Sequence, residues 1–379
     1  MKCFFVNGTG VAMQMLATVE RKVYMKIPSL IIGDLTIPVP IIQGGMGVSV
    51  SKASLASAVS RAGGLGVIAS VGLGEEIASS VHYEDRSCNA LKSEIKKVKD
   101  QGLPVGVNVM VALTNYGDLV TACAEAGVDV LISGAGLPLR LPEYAGNSPM
   151  KLVPIVSSGR AAEIVCRSWD KKYSRYPDAI VVEGPLAGGH LGFKFDELVD
   201  GTVSSLETIV EETLVVAERY GRLAGRKIPV VAAGGVFTGA DIARFLNMGA
   251  SGVQMGTRFV ATHECDVSDE YKQAFVDASI DDIALILSPV GLPARVLKTQ
   301  FVRRSLGEKQ DFACHYKCLI TCDADRANYC IADALLNSYR GQLDQGFPMC
   351  GHNVYRVNSI VSVAELMNEL IVEAEPLIN

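Results

Sequence analysis

No stretch of the 379 residues reaches the ~18 uncharged apolar positions that cross a bilayer, and the nearest approach, SLIIGDLTIPVPII, is broken by Asp34 and by prolines. Positive charge is not in excess either. The formal net charge of -6 argues against nucleic acid or an anionic membrane surface as the main partner, since both are themselves anionic. The chain shows no low-complexity linker and no short internal repeat, and it has only five histidines. Ten cysteines in a chain of this length fall short of a secreted disulfide scaffold, so the expected compartment is a reducing cytoplasm. Residues 1–26 lack a clean basic n-region and a small-residue cleavage site, and read as an extension, or as translation begun upstream of Met25.

What is present is 49% hydrophobic residues, enough for a sizeable core, and a rhythm that begins near residue 38. Short β-branched or apolar runs alternate with Gly-rich turns and amphipathic helical stretches, which is the pattern of an α/β fold with a parallel sheet. Eight candidate strands follow in order: VPIIQGG (39–45), GLGVIAS (64–70), PVGVNVM (104–110), VDVLISG (128–134), LVPIVSS (152–158), DAIVVEG (178–184), IPVVAAGG (228–235) and ASGVQMG (250–256). Between them SKASLASAVSRAG, LVTACAEAG, SLETIVEETLVVAERYG and GADIARFLNMG read as helices that close near glycine. Eight βα units over this length fit a (β/α)8 TIM barrel. A doubly wound open sheet would normally need a phosphate fingerprint after the first strand alone, whereas here Gly-rich turns recur after nearly every strand. Beyond residue 260 the rhythm stops: DEYKQAFVDA and IDDIALIL look helical, SPVGLPARVLKTQF is interrupted by Pro and Gly, and a helical segment runs to the end. The expected organisation is an extension (1–26), a barrel (27–260), and a smaller, mainly helical C-terminal cap with a Cys-rich segment (261–379).

In such a barrel the site forms at the C-terminal ends of the strands. There the chain is bare: Gly44, Gly45, Met46 and Gly47; Ser133 to Gly136; Gly188, Gly189 and His190; Gly234 and Gly235; Gly256 and Thr257. Missing side chains let a large ligand approach the backbone and leave amide N–H groups to face it. VVAAGGV after the seventh strand and VQMGTRF after the eighth stand where barrels of this kind commonly hold a phosphate. Tight turns alone would also explain single glycines. Within VVEGPLAGGHLGF, His190 carries the side chain whose unperturbed pKa lies nearest neutrality, placed where a proton could be taken or given. The alternative is an imidazole satisfied by a neighbouring carbonyl. His82, His263, His315 and His352 have no comparable setting, and Ser133 and Ser157 read as turn residues.

The stretches PIIQGGMGVSVSKASLASAVSRAGGLGVI, GVNVM, EGPLAGGHLG, IPVVAAGGV and GASGVQMGTRF resemble, in order and spacing, the motifs of the FMN-dependent nitronate monooxygenases, formerly 2-nitropropane dioxygenases. Flavin-type enoyl-acyl carrier protein reductases share them, and the resemblance covers about residues 28 to 300. It implies that the backbone of Gly44, Gly45 and Met46 lies against the isoalloxazine and that Asn108 reaches the flavin edge. Glu183 and Gly188 fall in the loop after the sixth strand, where the monooxygenases often show Gln in place of Glu183. Gly234, Gly235, Gln254, Met255, Gly256 and Thr257 fall where the FMN phosphate is held, and His190 at the catalytic position. Glu183 could instead cap a helix or pair with Arg160 or Arg258.

Five cysteines fall between 314 and 350, a departure from the family pattern. Cys314, Cys318 and Cys322 are four apart and would form one stripe of a helix, with Cys330 beyond a turn. Clustered thiolates suit an iron–sulfur cluster or zinc. The spacing matches neither common ferredoxin runs nor a zinc ribbon, and a buried apolar helix face explains it equally.

The resemblance implies an FMN-dependent oxidoreductase that oxidises nitronates or nitroalkanes with O2, with His190 as base or as electrostatic partner of the nitro group. A second expectation is an NAD(P)H-dependent flavin reductase of an enoyl thioester, toward which SGAGLP and ARVLKTQF lean. A third is a non-catalytic flavin-binding barrel. A small-molecule substrate is expected, with neither nucleic acid nor membrane as partner; the sequence leaves the oligomeric state open and is compatible with a homodimer.

Overall fold

The computed structural model describes residues 27–74, 82–305, 307, 309–314 and 317–379. The extension expected over 1–26 lies outside the described residues, as does His315.

Eight parallel strands form the sheet: β1 (Ile41–Gln43), β2 (Val67–Ala69), β3 (Gly106–Met110), β4 (Val130–Gly134), β5 (Lys151–Val156), β6 (Ile180–Glu183), β7 (Val230–Ala233) and β8 (Gly252–Met255). They pair in the order β1, β8, β7, β6, β5, β4, β3, β2. A parallel bridge between Ile42 and Leu65 closes the circle, with Gln43 N–H donating to Leu65 O at 3.0 Å. Seven of the strands fall inside their expected runs, and β5 begins one residue before its run, at Lys151. The sheet is a (β/α)8 TIM barrel.

Burial of both faces explains why these strands read as continuous apolar runs. One face packs inside the barrel, where Ile42, Val67, Val130, Ile132, Val153, Val181 and Val231 fill the interior with branched side chains. An N-terminal hairpin, Leu30–Ile32 with Leu35–Ile37, adds Leu30, Ile32 and Ile37 to that cluster. Asp34 at its turn pairs with Lys151, the first residue of β5, so the hairpin plugs the end of the barrel opposite the strand C-termini. The other face meets the helices. Helix Leu206–Ala224 starts at Ser205, whose side chain accepts from Thr208 N–H, and ends at Gly225 in the left-handed region. Helix Gly239–Asn247 is fixed by a capping box between Thr238 and Asp241.

After β8 comes only a short helix, Thr257–Val260; the chain then crosses the barrel mouth and returns as helix Val363–Ala374. This last helix packs against Gly239–Asn247 and against Ala53–Arg61, the helix after β1. It completes the ring, so the region expected as cap gives its final helix to the barrel. The C-terminal region is largely helical, but IDDIALIL is not: after a single 3-10 turn, Ile283–Leu287 is a strand (β9) and Pro293–Leu297 another (β10), paired antiparallel. Nor do Cys314, Cys318 and Cys322 lie on a helix, because the described residues from 309 to 330 form turns and irregular backbone.

Candidate active site

The register of the barrel sets its rim. Gln43 aligns with Met255, Gln254 with Ala233, and Ala233 with Glu183, so the loops following these residues leave the sheet side by side. Above them opens a cavity of about 260 Å³. Gly44, Gly45, Met46, Asn108, Glu183, Gly188, His190, Gly234, Gly235, Gln254, Met255, Gly256 and Thr257 all line it. Residues from distant parts of the sequence thus converge on one mouth.

The glycines are bare for a reason the sequence did not show. A Cβ on Gly45 would stand 2.3 Å from Asn108 Cβ, and one on Gly188 would stand 2.5 Å from the backbone of Cys350. Gly234, at φ +88°, would collide with Gly184 O at 2.9 Å. Neighbouring protein therefore fills the space that these absent side chains were expected to leave for a ligand. What they leave for a ligand is backbone. Among the hydrogen bonds of the described residues, none engages the N–H of Gly235 or Val236, which follow β7 at the mouth. Thr257 has its hydroxyl occupied, accepting from Gly351 N–H at 3.1 Å.

His190 is held by the C-terminal region. Gly189–His190 forms a two-residue strand antiparallel to β10, with Ala294 opposite His190 and Arg295 opposite Gly189; Leu191 N–H donates to Pro293 O at 2.8 Å. The ring partner is not a carbonyl but Ser288, whose Oγ lies 2.9 Å from Nε2. Ser288 is buried at the end of the β9–β10 hairpin, and its Oγ also accepts from Val290 N–H at 3.4 Å. Burial holds the imidazole down at about 4, so it is neutral across the physiological range.

Glu183 ends β6 facing the same cavity. Burial pushes its carboxyl up to about 8, and Arg295 pulls it only partway back. Neither expected arginine is the partner: Arg258 holds Glu369 at 3.0 Å, and the charge acting on Glu183 is Arg295. Arg295 is itself buried and donates to Ala187 O. In the lining of the same cavity, Gln254 Oε1 is a buried acceptor with no donor. At neutral pH the mouth therefore carries a protonated carboxyl, a neutral imidazole and an unpaired amide oxygen.

Sequence reading missed what the C-terminal region contributes: Ser288 and Arg295, and the stretch Met349, Cys350 and Gly351 that covers the mouth. Ser288 gives no signal beyond preceding a proline, and the Cys350–Gly351 segment was legible only as a cysteine. His352 also lies nearer than expected, its N–H donating to Leu186 O at 3.0 Å. Ser133 is structural, donating to Val109 O at 2.9 Å. Among the described residues no helix is long and apolar enough to cross a membrane.

A family model described as nitronate monooxygenase matches residues 29–373. Among curated proteins, the chain is 31% identical over 266 residues to the (3aS,4S,5R,7aS)-5-hydroxy-7a-methyl-1-oxo-octahydro-1H-indene-4-carboxyl-CoA dehydrogenase of Mycobacterium tuberculosis, covering 70% of this chain and 64% of that protein. The chain thus spans slightly under two thirds of that relative's length. It is 30% identical over 295 residues to a nitronate monooxygenase of Pseudomonas aeruginosa, covering 69% of this chain and 78% of that one. Among solved structures, FabK from Thermotoga maritima is similar with a TM-score of 0.70 and 29% identity, over 90% of this chain and 94% of that one.

Proposed function

The chain belongs to the nitronate monooxygenase family, and from that premise we propose that it is an FMN-dependent oxidoreductase that oxidises nitronates or nitroalkanes with O2. The mouth fits the cofactor on its own residues. Gln254 Oε1 lacks a donor that a ribityl hydroxyl or ring N–H supplies, and the unengaged N–H groups of Gly235 and Val236 suit a phosphate. Gly44, Gly45 and Met46 would support the ring, with Asn108 at its edge and Gly256 and Thr257 beside the phosphate. Bound there, FMN supplies the two-electron chemistry and the reaction with O2.

The observation that carries the reading is the neutral His190 fixed by Ser288 at the edge of that cavity. With Nε2–H donating to Ser288 Oγ, the Nδ1 lone pair is left for a proton from the carbon beside a nitro group. A neutral imidazole acts as base rather than as a cationic partner of the nitro group. Glu183, protonated at neutral pH, would donate a hydrogen bond toward the cofactor without adding negative charge beside it.

The test compares a neutral nitroalkane with its preformed nitronate, following O2 uptake by His190→Ala. The nitronate has already lost the proton, so the variant is expected to lose roughly 100-fold or more on the nitroalkane and little on the nitronate. Equal turnover of the nitroalkane by variant and parent would remove His190 as the base. The likeness to FabK and to a CoA-thioester dehydrogenase supports a second reading, an NAD(P)H-dependent enoyl-thioester reductase, in which the same imidazole returns a proton to carbon.

A further inference from the structure

Among the described residues, Cys88 is half-buried on a helix, and the other eight cysteines divide into two kinds. Cys123, Cys166, Cys265 and Cys350 are buried and behave as small apolar side chains. Cys314 is exposed and Cys318, Cys322 and Cys330 are half-buried; Cys318 and Cys322 touch the edge of the main core, but core packing does not account for Cys314. All four nevertheless line one cavity of about 630 Å³, together with Thr114, Phe312, Lys317, Leu319, Asp323 and Ile331. The backbone that carries them has little regular structure of its own. It is tied to the barrel by Thr114 N–H to Cys318 O at 3.1 Å and Ile320 N–H to Ala112 O at 2.9 Å. Lys317 takes a positive φ of 46°, and Cys330 precedes helix Ile331–Tyr339 with no side-chain capping bond. An irregular loop of this length inside a compact region calls for a cross-link or a function.

We propose that Cys314, Cys318, Cys322 and Cys330 hold an iron–sulfur cluster in this cavity. Among the described residues no three His, Cys, Asp or Glu side chains converge as ligands of a single metal ion. A lone zinc would need its donors at about 2.0–2.3 Å from one point, whereas a cluster spreads four thiolates over two or four irons and so spans thiols set further apart. Lys317 on the wall favours an anionic thiolate-ligated group. The unusual spacing is no obstacle, because the ligands meet through the fold of the loop rather than along a helix. Thr114 lies four residues beyond Met110, the end of β3, and Met110 and Asn108 line the barrel mouth. The cluster would sit beside the cofactor site.

The test is iron and acid-labile sulfide per chain in full-length protein produced and reconstituted anaerobically with iron and sulfide, with zinc measured in parallel. The expected result is about two to four iron atoms matched by sulfide, and a dithionite-reduced electron paramagnetic resonance signal distinct from a flavin radical. Cys318→Ala with Cys322→Ala should lose most of the iron, and Cys88→Ala, on a helix elsewhere, should retain it. Cys314→Ala, at an exposed position, serves where the double variant misfolds: it should lower iron while circular dichroism stays unchanged. Parent protein with no labile sulfide, zinc at one per chain in place of iron, or unchanged iron in a folded Cys314→Ala or double variant would overturn the proposal.

Discussion

At the scale of single residues, the mouth sets two groups titrating in opposite senses. Glu183 keeps its proton in the folded protein up to about 8, against 4.5 for an unperturbed glutamate carboxyl. The folded state therefore binds this proton more tightly, and its contribution to stability is lost as pH climbs from about 4.5 to about 8. His190 falls from 6.5 to about 4, so its contribution is present above 6.5 and lost as pH falls toward 4. Glu183→Gln removes the first effect. Its melting temperature relative to the parent should rise by a few degrees more at about pH 9 than at about pH 5, and an equal change at both would show that Glu183 ionises normally. Ser288→Ala should retain flavin while kcat on a neutral nitroalkane falls roughly tenfold, because the imidazole loses the partner that orients it. Unchanged kcat would make the contact incidental. His190 and Glu183 were legible as candidates because a charged or titratable residue after an apolar strand stands out. Ser288 and Arg295 were not, since their meaning depends on partners, His190 and Ala187, about 100 residues away in the chain.

At the scale of elements, eight runs bounded by glycine announced the barrel strands because each is buried on both faces. The short run Ile283–Leu287 carried no decisive period, and pairing with Pro293–Leu297 made it a strand. The thiol stripe misled in the opposite direction: spacing of four suggested a helix, whereas the loop is held by bonds to the β3 connection. The grip of β10 on Gly189–His190 and the close approach of Gly188 to Cys350 make the loop after β6 a joint between barrel and C-terminal region. Gly188→Ala would force backbone against backbone. It should destabilise the protein by about 1–3 kcal/mol in denaturant unfolding and reduce flavin retained on purification, and a variant with parental stability would mean that the joint yields freely.

For the whole molecule, the region from 261 to 362 is an excursion between the eighth strand and the helix that completes the ring. Gly239 N–H donates to Glu373 Oε2 at 2.8 Å, and Val363, Leu366, Met367 and Leu370 are buried in the main core. A chain ended at residue 360 should thus fail to give a cooperative thermal transition, and a cooperative, flavin-binding truncation would show the last helix to be dispensable. The barrel and the excursion form one site: the first brings the glycine loops, and the second brings Ser288, Arg295 and the cover over the mouth. The most direct test of the account is anaerobic mixing of the flavin-loaded protein with a nitronate, without any nicotinamide. The account predicts that the visible flavin absorbance bleaches promptly and returns when O2 is admitted; flavin that stays oxidised with nitronate but bleaches with NADH would contradict it.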